Sequence, residues 1–321
     1  MRRMRAGRWV CACGIALTAV LAQEAERRFF PDEPGWAERF AVDVAQAPLH
    51  DLDDDATPLP APEGAARYTV TYKGTIASFD VGRVILDVAV SDEAYSLRYA
   101  MEQRGIAKVF SDGEARAHAA GTFDTTSTMR PIDGTYYYNH DYEAEDDQQR
   151  VELYRPKGAD RLRLWAEPEY WFHEPVPEAV AAGATDPLGA LVALGFPEVA
   201  PGKSPCERTA RVYDGRRRFD LRFEPDGTKD LNAQEGEFGG ETHACRMTLT
   251  KVAGYRPKDR AEMEGSAWVY LAPVPEAVRT KTFAYVPIEV RAKQGIFRAK
   301  LEAKYPVITG PDGTRYPLYE E

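Results

Sequence analysis

The sequence predicts a mainly β protein in which long antiparallel strands form one large curved sheet, an open barrel or β-spiral, with one or two short helices packed on it or in it. Apolar and polar residues alternate with period two over most of the chain from Arg67 onward, as in strands with one buried face. One segment, beginning at Asp186, has helical periodicity instead. Asp214-Gly215 supplies the positive φ angles of a tight hairpin between two alternating segments.

The alternating segments are the predicted strands. The first is marked by Tyr68, Val70 and Tyr72, and strands that follow one another this closely are expected to pair antiparallel. The remaining predicted strands are 84–90, 95–101, 115–123, 135–143, 149–155, 161–167, 209–213, 217–224, 243–252, 267–272, 283–292 and 296–305.

A helix is predicted between two blocks of strands. Asp186 suits the N-cap and Pro187 the first helical position of a helix from Leu188 to Phe196, in which Leu188, Leu191, Val192 and Gly195 fall on one face. A second, shorter segment has Ile106 and Phe110 at one-turn helical spacing. It is predicted to be an amphipathic turn that lies over a sheet edge.

The N-terminus has the pattern of a secretory signal peptide, residues 1–22. Four arginines precede an apolar segment that ends in small residues at Val20 and Ala22. The apolar segment is shorter than the ~20 residues of a membrane span, and the mature protein is expected to have no transmembrane segment. A lipoprotein signal with Cys13 as its lipidated residue is the alternative.

Residues 23–66 are irregular, acidic and rich in proline, which predicts a largely disordered tether. A single β-rich domain of residues 67–321 follows. Removal of the signal takes four arginines from the 41 basic residues, and the remaining 37 face 51 acidic ones. Such a negative chain is poorly suited to binding phosphate backbones, so no nucleic-acid partner is expected.

Two cysteines, Cys206 and Cys245, remain once the signal is removed. An even pair in an oxidising compartment favours a disulfide, which would pin the Asp214-Gly215 hairpin to a third strand. Two unpaired buried thiols are the alternative. These features together predict a periplasmic location for the mature protein, and a peripheral position at the outer membrane is left open as an alternative.

No catalytic motif, metal-ligand spacing or cofactor fingerprint is found in the sequence. The aromatic segment 164–174 contains Glu167, Glu169 and Glu174, which are acid or base candidates for glycan hydrolysis, but packing between sheet and helix explains the segment better. The acidic segment 140–147 lacks the glycine of a calcium loop. His118 and His243 are interpreted as ordinary strand residues, and Arg216 to Arg218 as either an anionic headgroup contact or a solvent-facing strand start.

The order of several motifs resembles the exported bacterial family known as domain of unknown function 3108. The resemblance runs from about Tyr68 to Tyr305. The motifs that carry it are Tyr68 to Tyr72 with Gly82, Arg104 to Phe110, Asp186 to Leu191, Cys206 before Val212 to Leu221, Cys245, and Val286 to Ile288. It implies no catalytic residues. By analogy it implies an architecture similar to the open barrels of the envelope lipoprotein carriers LolA and LolB, in which an apolar concavity holds acyl chains.

The leading hypothesis is a non-enzymatic envelope protein that binds a lipid-like or amphipathic ligand, or an envelope partner, in the hollow of its sheet. A structural scaffold for envelope assembly and a glycan hydrolase are the alternatives. The apolar residues predicted to line or cover the hollow are Leu86, Leu97, Tyr99, Ile106, Phe110, Leu188, Leu191, Phe219, Leu221 and Phe223, with Val84 beside them.

Overall fold

A computed structural model describes residues 62–105, 113–122, 136–144, 147–155, 163–167, 175–195, 203–255, 266–294 and 297–319. The predicted signal peptide, most of the predicted tether, the predicted turn from Ile106 to Phe110 and residues 168–174 of the aromatic segment lie outside these described residues. β1 begins at Ala66, beside the predicted start of the domain.

The described residues form fourteen strands and two short α-helices. The first seven strands are β1 (Ala66–Ile76), β2 (Phe79–Val90), β3 (Ala94–Gln103), β4 (Glu114–Thr122), β5 (Tyr136–Ala144), β6 (Asp147–Arg155) and β7 (Arg163–Glu167). The helices α1 (Glu178–Ala181) and α2 (Pro187–Leu194) follow. The remaining strands are β8 (Arg208–Tyr213), β9 (Arg218–Leu231), β10 (Gly240–Ala253), β11 (Ser266–Pro273), β12 (Tyr285–Gln294), β13 (Phe297–Thr309) and β14 (Arg315–Pro317).

All fourteen strands belong to one antiparallel sheet. The order is β7-β6-β5-β4-β3-β2-β1-β13-β12-β11-β10-β9-β8, and β14 adds to β13. Apart from β7 and β8, strands that are neighbours in sequence pair with each other, and β1 pairs with β13 to join the two halves of the chain. β7 and β8 stand at the two ends, so the sheet is not closed between them in the described part of the chain. The predicted fold class is confirmed.

The strand register places the predicted apolar residues on one face of the sheet. Residues that oppose each other across an antiparallel pair project to the same side, so each row across the strands shares a face. One row contains Tyr68, Val88, Leu97 and Ala119, and the next contains Val70, Leu86, Tyr99 and Ala117. All eight side chains are buried. This inner face holds the hydrophobic core.

Helix α2 lies inside the curve of the sheet. It contacts β3 and β4 in one half of the chain and β8 and β12 in the other, and all eight of its residues are buried. A helix without a polar face is stable only when it is surrounded. The helix therefore fills part of the interior, where the sequence predicted that it would cover the hollow.

The distal half of the β9–β10 hairpin, residues 225–242, forms an arm that folds over the outer face of the sheet. The strand register shifts between His243 and Cys245, opposite Thr228 and Pro225, which marks a β-bulge. Gly227, within the bulge, has a φ of 85°. Because bulges bend a strand and increase its twist, Pro225 to Gly227 direct the arm out of the plane. β9 and β10 are therefore longer than the predicted segments 217–224 and 243–252.

Candidate functional site

The apolar interior of the sheet is the candidate functional site. Eight of the ten predicted lining residues are described, and all eight are buried in one continuous core cluster: Leu86, Leu97, Tyr99, Leu188, Leu191, Phe219, Leu221 and Phe223. Ile106 and Phe110 lie outside the described residues. The cluster brings together side chains from both halves of the sheet and from α2, and the additional residue Val84 belongs to it.

Charged side chains hold both ends of α2 within this apolar surrounding. At the N-terminus, the Asp186 carboxylate accepts hydrogen bonds from the backbone N–H groups of Leu188, at 2.7 Å, and Gly189, at 2.9 Å. At the C-terminus, the Arg208 guanidinium donates to the carbonyl of Ala193. A carboxylate at the N-terminus and a cation at the C-terminus both complement the helix dipole. Burial lowers the pKa of Arg208 to about 10, which still leaves it charged at neutral pH.

The interior contains two buried hydroxyl groups without a hydrogen-bond partner in the described part of the chain, those of Tyr99 and Thr185. Tyr68 and Tyr72 are different, because their hydroxyls donate to the Pro287 carbonyl at 2.8 and 2.6 Å. Burial raises the pKa of Tyr99 far above its usual value, which keeps its hydroxyl protonated. Buried polar groups in proteins almost always have a partner. The Tyr99 hydroxyl is therefore an unusual buried donor, because its hydrogen-bonding capacity is not used by any of the described residues.

The turn between β8 and β9 is buried, which corrects the solvent-facing interpretation of Arg216 to Arg218. The three arginines are 9, 6 and 5 % exposed. Asp214 organises the turn, since its carboxylate accepts from the backbone N–H groups of Arg216, at 2.8 Å, and Arg217. Burial raises the pKa of Asp214, and the two arginines oppose that shift. The guanidinium of Arg217 also lies 6.0 Å from the centre of the Tyr255 ring.

The tip of this turn reaches the opposite end of the sheet. Gly215 has a φ of 90°, and a Cβ at this position would lie 2.3 Å from Cγ1 of Val151 and 3.1 Å from Cδ1 of Leu164. These two residues belong to β6 and β7. The turn that follows β8 thus packs against β6 and β7 at the other end of the sheet, although β8 does not pair with either strand.

The predicted disulfide is present between Cys206 and Cys245. Cys206 precedes β8 and Cys245 lies in β10, with β9 between these two strands, so the bond pins the β8–β9 hairpin to the third strand as the sequence predicted. Both cysteines are fully buried.

The histidines of the sequence analysis have structural partners. Nε2 of His118 lies 3.2 Å from Oγ of Ser96 on the neighbouring strand, and Arg98 lies directly opposite His118. His243 packs edge-on against Tyr285, with ring centres 5.2 Å apart. No group of three or more metal-binding side chains occurs within the described ranges. The side chains of segment 140–147 lie outside them.

His118 gives the stability of the fold a predictable dependence on pH. Burial, and secondarily Arg98, lower its pKa to about 4, while the unfolded chain has a value near ~6.5. Between these two pH values only the unfolded state gains a proton. The contribution of His118 to the free energy of unfolding is therefore complete above about pH 6.5. It is lost as the pH falls toward 4, at about 1.4 kcal/mol per pH unit. Between pH 7.5 and 5 the protein should lose about 2 kcal/mol more than the His118→Gln variant. Urea unfolding at both pH values measures the difference; an identical pH dependence would contradict it.

Sequence reasoning missed Thr185, Arg208 and Asp214 as interior residues. Arg208 opposes Phe223 in the register, so its place on the inner face follows from the alternation that identified Phe223. The sequence around Asp214 does not predict that this residue is buried, since an Asp-Gly turn usually lies at the surface.

The fold and the site define an antiparallel β protein that encloses an apolar interior and an apolar helix. No helix in the described ranges has both the length and the apolar character needed to cross a membrane. The chain belongs to the family described as Protein of unknown function (DUF3108), whose sequence profile matches residues 67–300.

Comparison with solved structures finds similarity to the crystal structure of a beta-barrel-like protein of domain of unknown function DUF1849 from Brucella abortus. The two chains share 8 % sequence identity with a TM-score of 0.46, over 78 % of this chain and 99 % of the other. No curated protein matches the sequence significantly.

Proposed function

We propose that the protein is a non-enzymatic, exported protein of the bacterial cell envelope that binds an amphipathic, lipid-like ligand inside its curved sheet. The observation that carries the proposal is the Tyr99 hydroxyl, a buried donor without a partner in the described residues, within an otherwise apolar cluster. An acyl chain would be accommodated by the apolar side chains, and a carboxyl, ester or hydroxyl group would satisfy Tyr99. Ligand sites commonly combine such an apolar lining with a few polar groups that fix orientation.

Export to the periplasm is supported by two features of the chain. Residues 1–22 have the pattern of a signal peptide. The two cysteines beyond it form a buried disulfide, which is typical of proteins that fold in an oxidising compartment. The excess of acidic residues argues against a nucleic-acid partner.

The scaffold alternative has less support from the surface. A scaffold would present a contiguous exposed apolar patch. The exposed large apolar residues in the described ranges are Phe79, Leu164, Val252 and Tyr305. They lie on β2, β7, β10 and β13, no two of which are neighbours in the sheet.

Two tyrosine variants test the interior site. Tyr99→Phe removes a hydroxyl that has no hydrogen-bond partner among the described residues, so the free energy of unfolding should change by less than about 0.5 kcal/mol. The affinity for palmitate should fall about 2- to 10-fold, which corresponds to the loss of one hydrogen bond. Tyr68→Phe is the matched control. Its hydroxyl donates to Pro287, so this variant should lose about 1 kcal/mol of stability and keep its affinity.

The measurements are a palmitate titration of delipidated protein, followed by tryptophan fluorescence, and urea unfolding without ligand. Failure of the wild-type protein to bind palmitate saturably, or equal loss of affinity in both variants, would contradict the proposal.

A further inference from the structure

The arm, residues 225–242, is attached to the outer face of β11 to β13 by four contacts along its length. Nε1 of Trp268 donates to Asp226 at 2.7 Å, and the Lys229 ammonium lies 5.1 Å from the centre of the Tyr270 ring. Further along, Glu237 forms an ion pair with Lys304, and the backbone N–H of Tyr305 donates to the carbonyl of Gly236 at 2.7 Å. The arm therefore has a defined position over the sheet.

A polar cleft of about 290 Å³ lies between the arm and the outer face of β12 and β13. Its size is near the lower limit of ~300–1,000 Å³ for small-molecule sites. This cleft is separate from the apolar interior because it opens on the opposite face of the sheet. The charged and amide side chains that line it are Lys229, Asp230, Asn232, Gln234, Glu237, Glu289, Arg291, Lys300 and Glu302.

Ion pairs fix the cleft's wall on the sheet. Glu289 is 3 % exposed and forms ion pairs with Arg291 and, at 3.5 Å, with the ammonium of Lys300. Lys300 also pairs with Glu302. Because these partners restrain one another, the two cations of the sheet have defined positions at the cleft.

Lys229, which the arm contributes, makes no ion pair in the described part of the chain and contacts the face of Tyr270. The guanidinium of Arg291 lies 5.0 Å from the centre of the same ring. Burial lowers the pKa of Lys229, and the positive charges of Arg291 and Lys300 lower it further, although Glu289 opposes this effect. Arg291 and Lys300 already have carboxylate partners in Glu289 and Glu302, so among the described cations of this half-enclosed space Lys229 is the one that an added anion would pair.

We infer that the cleft beneath the arm is a second binding site, which takes a small molecule through a carboxylate or phosphate group held between Lys229, Arg291 and Lys300. Asn232 and Gln234 supply amide donors and acceptors on the arm side of the same space. Lys229 forms no ion pair with a carboxylate of the described residues, whereas Arg291 and Lys300 each form at least one. This difference distinguishes the arrangement from a network that serves only to attach the arm.

The test is an amide NMR titration of the mature, disulfide-bonded protein with sodium phosphate and, separately, with sodium succinate at low ionic strength. We expect at least one anion to produce saturable shifts confined to residues around 229–238 and 289–302. Lys229→Gln should weaken this binding about tenfold or more, as expected for the loss of a charged hydrogen bond. Lys281→Gln is the matched control, because this exposed lysine pairs with Asp92 at 3.7 Å and does not line the cleft.

Binding of phosphate alone or of succinate alone identifies which oxyanion the site prefers, and both results support the inference. Three results overturn it: neither anion saturates, Lys229→Gln binds as the wild type does, or Lys281→Gln weakens binding as much as Lys229→Gln.

Discussion

Replacement of Cys206 and Cys245 together by alanine is expected to lower the free energy of unfolding by about 4 kcal/mol. The bond joins residues 39 positions apart, and opening a loop of that length restores conformational entropy to the unfolded chain. In a domain of this size the unfolding temperature should fall by roughly 8–16 °C. Guanidinium and thermal unfolding of the two proteins under non-reducing conditions measure the effect.

Reduction of the disulfide provides the control. Dithiothreitol should destabilise the wild-type protein by a similar amount and leave the double variant unchanged. If the reductant has the same effect on both proteins, or the two cysteines titrate as free thiols after non-reducing purification, the cross-link does not contribute as described.

Gly215→Ala is expected to destabilise the protein by about 2–5 kcal/mol. The backbone at Gly215 has a positive φ, which costs an alanine about 1–2 kcal/mol. In addition, the new methyl group would lie 2.3 Å from Cγ1 of Val151, and overpacking of a core costs about 1–3 kcal/mol. Since Val151 is β-branched and has little rotamer freedom, either the turn or β6 must move.

Gly227→Ala is the matched control for this prediction. Gly227 has nearly the same φ, 85°, but a methyl group there would meet no atom within 4 Å. The control variant should therefore be destabilised only by the cost of a positive φ for alanine, about 1–2 kcal/mol. Urea unfolding of the three proteins gives the comparison. Equal destabilisation by both alanines would mean that the β8–β9 turn does not pack against β6 and β7.

The strand pattern was predictable because most strands have one buried and one solvated face. Leu97 and Tyr99 are examples: the alternation in β3 placed them on the inner face, and the register confirms it. The arm escaped prediction because its two strands leave the plane of the sheet beyond the bulge at Gly227. β14 is only three residues long, too short for a period to be recognised.

The start of α2 was predictable from local sequence, but its surroundings in the fold were not. Its N-cap and first residue were predicted from Asp186 and Pro187, and both are confirmed. The sequence from Pro187 to Leu194 contains no polar side chain, and this feature could have indicated a fully surrounded helix. Which strands surround it depends on the β1–β13 pairing that joins the two halves of the sheet, a contact between residues more than 200 positions apart.

The buried arginines illustrate a tertiary effect that sequence reasoning could not reach. Arg216 to Arg218 follow a hairpin turn, and such residues normally project into solvent. Here the turn packs against β6 and β7 and the arginines become buried. The cleft beneath the arm is a similar case, since Lys229 and Lys300 are brought together only by the bend at Pro225 to Gly227.

The central claim, that the sheet encloses a site for an amphipathic molecule, is tested most directly by native mass spectrometry of the protein purified under non-reducing conditions from the cells that express it. We expect a bound species whose additional mass corresponds to a lipid or fatty acid and which is lost on delipidation. A single unliganded mass, combined with no uptake of palmitate by the delipidated protein, would contradict the claim.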